Sequence, residues 1–199
     1  MTQGPLSIPG AKATLLLSVL MTMMGTSGMV MGYVQLGLDA RQVEAAPGEA
    51  PLPEELRAEA QAIQDEIRAS TVPQAVGAGN IVVSLLLVIA SFLLTARHAS
   101  ALWWTSQALI ANVFYAVGAG AAQVWQIQQW GARLTALFVA TADEGGQFTP
   151  EQVQSLEALP TFGSCLAVVV PLLTCIVYGV LWRISRRPTV RAFVLREND

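Results

Sequence analysis

One histidine, two cysteines and fourteen carboxylates are the residues of this chain best suited to proton transfer, metal binding or nucleophilic attack. His98 stands in the short run Arg97-His98-Ala99-Ser100. A catalytic imidazole needs a nucleophile or an orienting carboxylate within hydrogen-bond reach, and no second histidine or nearby acid supplies one. It reads as a solvated turn residue. Cys165 and Cys175 lie in one apolar run. Ten residues of helix would separate them by about 15 Å, and a disulfide requires Cα atoms within about 7 Å. They read as small apolar residues. Glu54, Glu55, Glu59, Asp65 and Glu66 crowd one segment and Asp143-Glu144 another. Such groups can hold a divalent cation, but the spacing of a calcium loop is missing, so a solvated helix face is expected. H-E-x-x-H, C-x-x-C, G-x-S-x-G and P-loop patterns are all absent. The expectation is a protein without enzymatic activity, metal or cofactor.

These sparse groups sit in an apolar chain. Of 199 residues, 53% are hydrophobic and 13% charged, about half the charge of a soluble domain, and the mean hydropathy is +0.50. A helix needs about 20 mostly apolar residues to cross a bilayer. Residues 13–38, 74–96, 99–132 and 158–182 carry no charge. Lipid offers no partners to backbone amides, so such segments must be helical. The reading is an all-α polytopic membrane protein, a single unit of four transmembrane helices in two helical hairpins with a small extracytoplasmic helical cap. The spans fall at about 13–37, 75–96, 101–123 and 160–182. The first run exceeds the 7–15 apolar residues of a signal peptide and has only Lys12 before it, so a retained helix is expected.

Charge orients the spans. Lys12, Arg97 and the tail arginines Arg183, Arg186, Arg187, Arg191 and Arg196 fall on one side, with net charge +5, and the other side carries −8. Basic residues in short loops mark the cytoplasmic face, which puts both termini and the Arg97 turn inside the cell. The ten arginines against one lysine suggest a GC-rich bacterial genome, hence an inner-membrane location. With a net charge of −3, no nucleic-acid partner is expected.

The outer loops, about 38–73 and 124–158, also read as helical. Leu56, Ala60, Ile63 and Ile67 share one face, starting at Pro53 and ending at Pro73. Val124, Ile127, Gly131, Leu134 and Phe138 continue the third span outward to about Ala142. Asp143-Glu144-Gly145-Gly146 breaks that helix, and Thr149-Pro150-Glu151-Gln152 opens another, whose Val153 and Leu156 face one way. Pro160 then marks entry to the fourth span. The two halves share this order of elements without residue-level identity. Their apolar stripes predict a four-helix cap.

Between spans, association rests on close backbone contact and hydrogen bonds. Gly25, Gly28 and Gly32 on the first span, and Ala116-x-x-x-Gly120 and Gly118-x-x-x-Ala122 on the third, are candidate packing residues. Asn80, Ser84, Gln107, Asn112 and Tyr115 are polar groups available to bond across the bundle. Pro171 is expected to free the carbonyl of Ala167. Trp103, Trp104, Trp125 and Trp182 fall near the expected interfaces. Arg183, Arg186, Arg187 and Arg191 are candidates for the membrane surface, with the tail, 183–199, against anionic headgroups. No span interior carries an ionisable residue, which argues against proton relays, ion-coupled transport and voltage sensing. What remains is an accessory or interaction subunit with a membrane-protein partner. The alternatives are a homo-oligomeric pore or carrier for an uncharged solute, and a partner-dependent sensor.

Overall fold

A computed structural model describes residues 10–38, 54–145 and 150–195. All regular structure among them is helical: α1 (Ala11–Leu38), α2 (Glu54–Ala69), α3 (Val72–Thr95), α4 (Ala101–Gln126), a π turn (Ile127–Gly131), α5 (Ala132–Gly145), α6 (Pro150–Ser185) and α7 (Pro188–Val194). Four stretches are long and apolar enough to cross a membrane: Ala11–Leu36, Val72–Thr95, Ala101–Leu137 and Pro160–Ser185. They coincide with the four uncharged runs, and the third extends furthest past its run, to Leu137.

The spans pack as a series. α1 lies against α3, α3 against α4 and α4 against α6, with a small contact between α1 and α6. The core of buried apolar side chains runs through Leu17, Met21, Leu87, Leu94, Leu109 and Leu181. Most large apolar residues of α6 face outward, among them Val169, Leu173, Ile176 and Val180. That surface suits hydrocarbon and not water.

Sequence periodicity misplaces two features. Pro73 does not end α2; it sits in the first turn of α3, where a missing N–H costs nothing. α2 stops at Ala69, and Ser70–Thr71 alone separate the two helices. Pro160 opens the fourth apolar span as expected, but it does not interrupt the helix. It lies inside one continuous helix with Pro171. The second correction is the π turn. α4, the π turn and α5 run on as the expected helical extension of the third span, but the wider turn at 127–131 inserts one residue and rotates the face. The stripe of Val124, Ile127, Gly131 and Leu134 is only half-buried, and Trp130 and Leu137 take the buried positions. This segment meets α6 at ordinary contact distance: a Cβ at Gly131 would lie 3.6 Å from Pro160, and one at Gly163 would lie 3.5 Å from Ile127. Thr149 and Gly146 lie outside the described residues, as do the side chains of Leu56, Phe138, Val153 and Leu156.

On α2 the expected stripe holds where it is described. Ile63 is fully buried and Ala60 and Ile67 half-buried. α2 contacts α5, and Arg133 donates to Glu66 at 2.6 Å between them.

The tail departs most from expectation. Following α6, Arg187 turns the chain in extended conformation and α7 folds back with Val190, Phe193 and Val194 buried. It rests on the start of α1. Gly10 has φ +90°, and a Cβ there would run into the carbonyl of Thr189, so this close approach needs glycine. The apolar residues of the tail are therefore held by the bundle, and its arginines Arg183, Arg186, Arg187 and Arg191 are exposed.

Candidate functional site

The polar groups inside the spans form two connected sets. The first lies along the α1–α3 seam. Ser18 Oγ donates to the Ser91 carbonyl at 3.1 Å and meets Thr95 Oγ1 at 2.8 Å. Thr22 Oγ1 meets Ser91 Oγ at 2.7 Å. These residues recur at intervals of four on each helix, so one face of each carries them. Further along the same seam α1 turns from hydroxyls to glycines. A Cβ at Gly25 would lie 2.8 Å from the Ser84 carbonyl, one at Gly32 would lie 2.7 Å from the Gly77 carbonyl, and one at Gly28 would overlap Ser84 Oγ. Ser84 Oγ in turn donates to Asn80 Oδ1 at 3.3 Å. Small residues at one end of the seam and hydroxyls bonded across it at the other bring the two backbones close.

The second set centres on Asn112. Its Nδ2 donates to the Val83 carbonyl at 2.9 Å and to the Ala108 carbonyl at 2.8 Å. Its Oδ1 accepts from Tyr178 Oη at 3.0 Å. One side chain thus ties α3, α4 and α6 together. Tyr115 Oη donates to the Val76 carbonyl at 2.9 Å. Ala116 and Gly120 face α6: Ala116 is buried, and a Cβ at Gly120 would lie 3.0 Å from the Ala167 carbonyl. That carbonyl is the one Pro171 leaves without a helical donor. Gly118 is placed differently. It is exposed, with nothing within 4 Å of a Cβ there. Gln107 is also exposed.

Ser18, Thr22, Ser91, Thr95 and Tyr178 escaped the sequence reading. The signal for the hydroxyls was their four-residue spacing. Tyr178, in the middle of an apolar run, carried no signal that set it apart from a packed aromatic.

Chemical groups are few. His98 Nδ1 lies 2.8 Å from Ser100 Oγ and accepts the Ser100 N–H at 3.3 Å, which closes the turn into α4. Both cysteines are free. No group of three or more metal-binding side chains occurs among the described residues. Trp130 Nε1 and Gln35 Oε1 are buried without a partner.

The bundle's grooves open on the outside. One of about 410 Å³ runs between α4 and α6 past Gly120, Trp125, Gln128, Pro171 and Cys175. Another of about 280 Å³ lies between the same helices beside Phe114, Tyr178 and Trp182. A third, of about 160 Å³, lies at the Arg97 end between α1, α3 and α7.

The α3–α4 turn builds that end. Arg97 N–H donates to the Leu94 carbonyl and His98 N–H to the Leu93 carbonyl, the paired bonds that close a helix with a left-handed residue. Arg97 takes that conformation, at φ +52°, where glycine is usual. Its guanidinium lies 4.0 Å from the centre of the Phe193 ring. Arg186 likewise lies over Trp182, at 4.6 Å.

The chain matches no family model, and no curated protein and no solved structure is similar to it.

Proposed function

We propose that the chain is a non-enzymatic multi-pass protein of a bacterial inner membrane that serves as an accessory or interaction subunit of a membrane assembly. Both termini lie in the cytoplasm in this reading, and α2 and α5 belong to a helical cap on the extracytoplasmic side. The observation that carries the reading is how the span polar groups are used. Asn112, Tyr178, Tyr115 and the α1–α3 hydroxyls bond to one another or to backbone. They serve cohesion and leave no polar row for a solute path. α6 meanwhile keeps one uninterrupted apolar face, with Val169, Leu173, Ile176 and Val180 at helical spacing and each about half exposed or more. Such a face fits a neighbouring transmembrane helix through i, i+4, i+7 packing.

Purification of the full chain from its own membranes in mild detergent tests this. A stoichiometric membrane protein should co-purify and be lost when Leu173 and Ile176 are changed to Trp. A homo-oligomer alone that passes an uncharged solute across liposomes would replace this reading with a pore or carrier.

A further inference from the structure

The crevice between α1, α3 and α7 differs from the other two grooves. One wall is polar: Thr14, Ser18 and Thr95 line it, with Arg97 above. The other is apolar, with Leu15 and Phe193. Leu15 is 52% exposed and Val19, one turn further, 46%, so the crevice runs out onto a hydrocarbon-facing strip of α1. The cation at the crevice is Arg97, exposed at the α3–α4 turn. No carboxylate pairs with Arg97 among the described residues.

We propose that this crevice holds the headgroup of one anionic glycerophospholipid, with Arg97 as its anchor and an acyl chain along Leu15 and Val19. The left-handed backbone is unfavourable for a non-glycine residue, and here it places a guanidinium at the crevice. The guanidinium sits over the Phe193 ring at 4.0 Å, and its N–H groups are of the kind that phosphate accepts in paired bonds. Phe193 is only 8% exposed, so the platform is itself held by α7. The hydroxyls of Ser18 and Thr95 are engaged with each other and with Ser91; they form the polar floor while Arg97 makes the contact. The apolar wall and its continuation toward Val19 select a lipid over free phosphate. The inference rests on the proposed threading only for the leaflet that supplies the lipid.

The test is thermal unfolding of the full chain in neutral detergent, with native mass spectrometry of the same samples. Phosphatidylglycerol should raise the melting temperature by about 3 °C or more and leave one lipid bound per chain. Phosphatidylcholine and inorganic phosphate should do neither. Arg97→Gly suits φ +52° and should melt in phosphatidylcholine near the wild-type temperature, but lose both the phosphatidylglycerol shift and the bound lipid. Arg183→Ala, exposed and outside the crevice, should keep both. A normal phosphatidylglycerol response in Arg97→Gly would overturn the proposal. So would an equal loss in Arg183→Ala, which would indicate diffuse charge attraction, or an equal shift with inorganic phosphate, which would indicate a free-anion site. Capture of a membrane partner is a separate readout, so either reading can fail without the other.

Discussion

Asn112 is the side chain on which three helices depend at once. Replacing it with alanine strips Val83 of a donor and Tyr178 Oη of its acceptor, at a cost of about 1–3 kcal/mol for the groups left unpaired. Tyr178→Phe leaves only Oδ1 unsatisfied and should cost less. Because the two share one bond, the double variant should be less unstable than the sum, by about 0.5–2 kcal/mol in a double-mutant cycle. Additive losses would show that the bond contributes nothing. The glycines allow a sharper contrast. Gly32→Ala drives a methyl into the Gly77 carbonyl and should cost about 1–3 kcal/mol by overpacking. Gly118→Ala meets open space and should be neutral or slightly stabilising, since alanine is the better helix former. Detergent unfolding of the two variants side by side decides it. At this scale the sequence was half informative. Gly25, Gly28 and Gly32 stood out because small residues at helical spacing have few other uses in a span. Gly118 carried the same pattern, and only the direction in which α4 turns its faces separates it from Gly120.

Elements were legible wherever burial alone decided them. Four uncharged runs can only be helices if lipid surrounds them, and the stripe around Ile63 marked α2 because one face of that helix is covered. Proline misled at Pro73 because in the first turn of a helix its missing N–H costs nothing, while Pro160 opens the apolar span without interrupting the helix. The π turn had no sequence signature, since one inserted residue alters the face and not the composition. The folding back of α7 was illegible for a related reason. Val190, Phe193 and Val194 suit a membrane surface as well as a protein one, and Gly10, which lets α7 approach, lies far away in sequence. The folded tail makes its own prediction. Phe193→Ala removes a buried ring and the platform beneath Arg97, which should cost about 3–5 kcal/mol locally and open residues 186–195 to limited proteolysis. Glu66→Gln, by contrast, breaks an ion pair that is more than 40% exposed on both sides, and should change stability by less than about 1 kcal/mol.

The whole molecule is ordered by where lipid ends. Trp104 and Trp125 mark the two ends of α4, and 21 residues of helix place them about 31 Å apart, close to the hydrocarbon thickness of about 30 Å. Beyond one ring lie Lys12, Arg97 and the tail arginines; beyond the other lie Glu59, Asp65, Glu66 and Arg133. Aromatic spacing and charge asymmetry thus divide the chain in the same way, although they come from different residues. Their joint claim is that Gln61 and Ala192, both exposed, stand on opposite sides of a bilayer, with Gln61 outside. Cysteine labelling tests it most directly, using Gln61→Cys and Ala192→Cys singly in a chain whose Cys165 and Cys175 have been changed to alanine. A membrane-impermeant maleimide should modify Gln61→Cys in intact cells with a permeabilised outer membrane, and Ala192→Cys only after the inner membrane is broken. Modification of both positions from the outside would contradict the four-span account, and the reverse pattern would contradict its orientation.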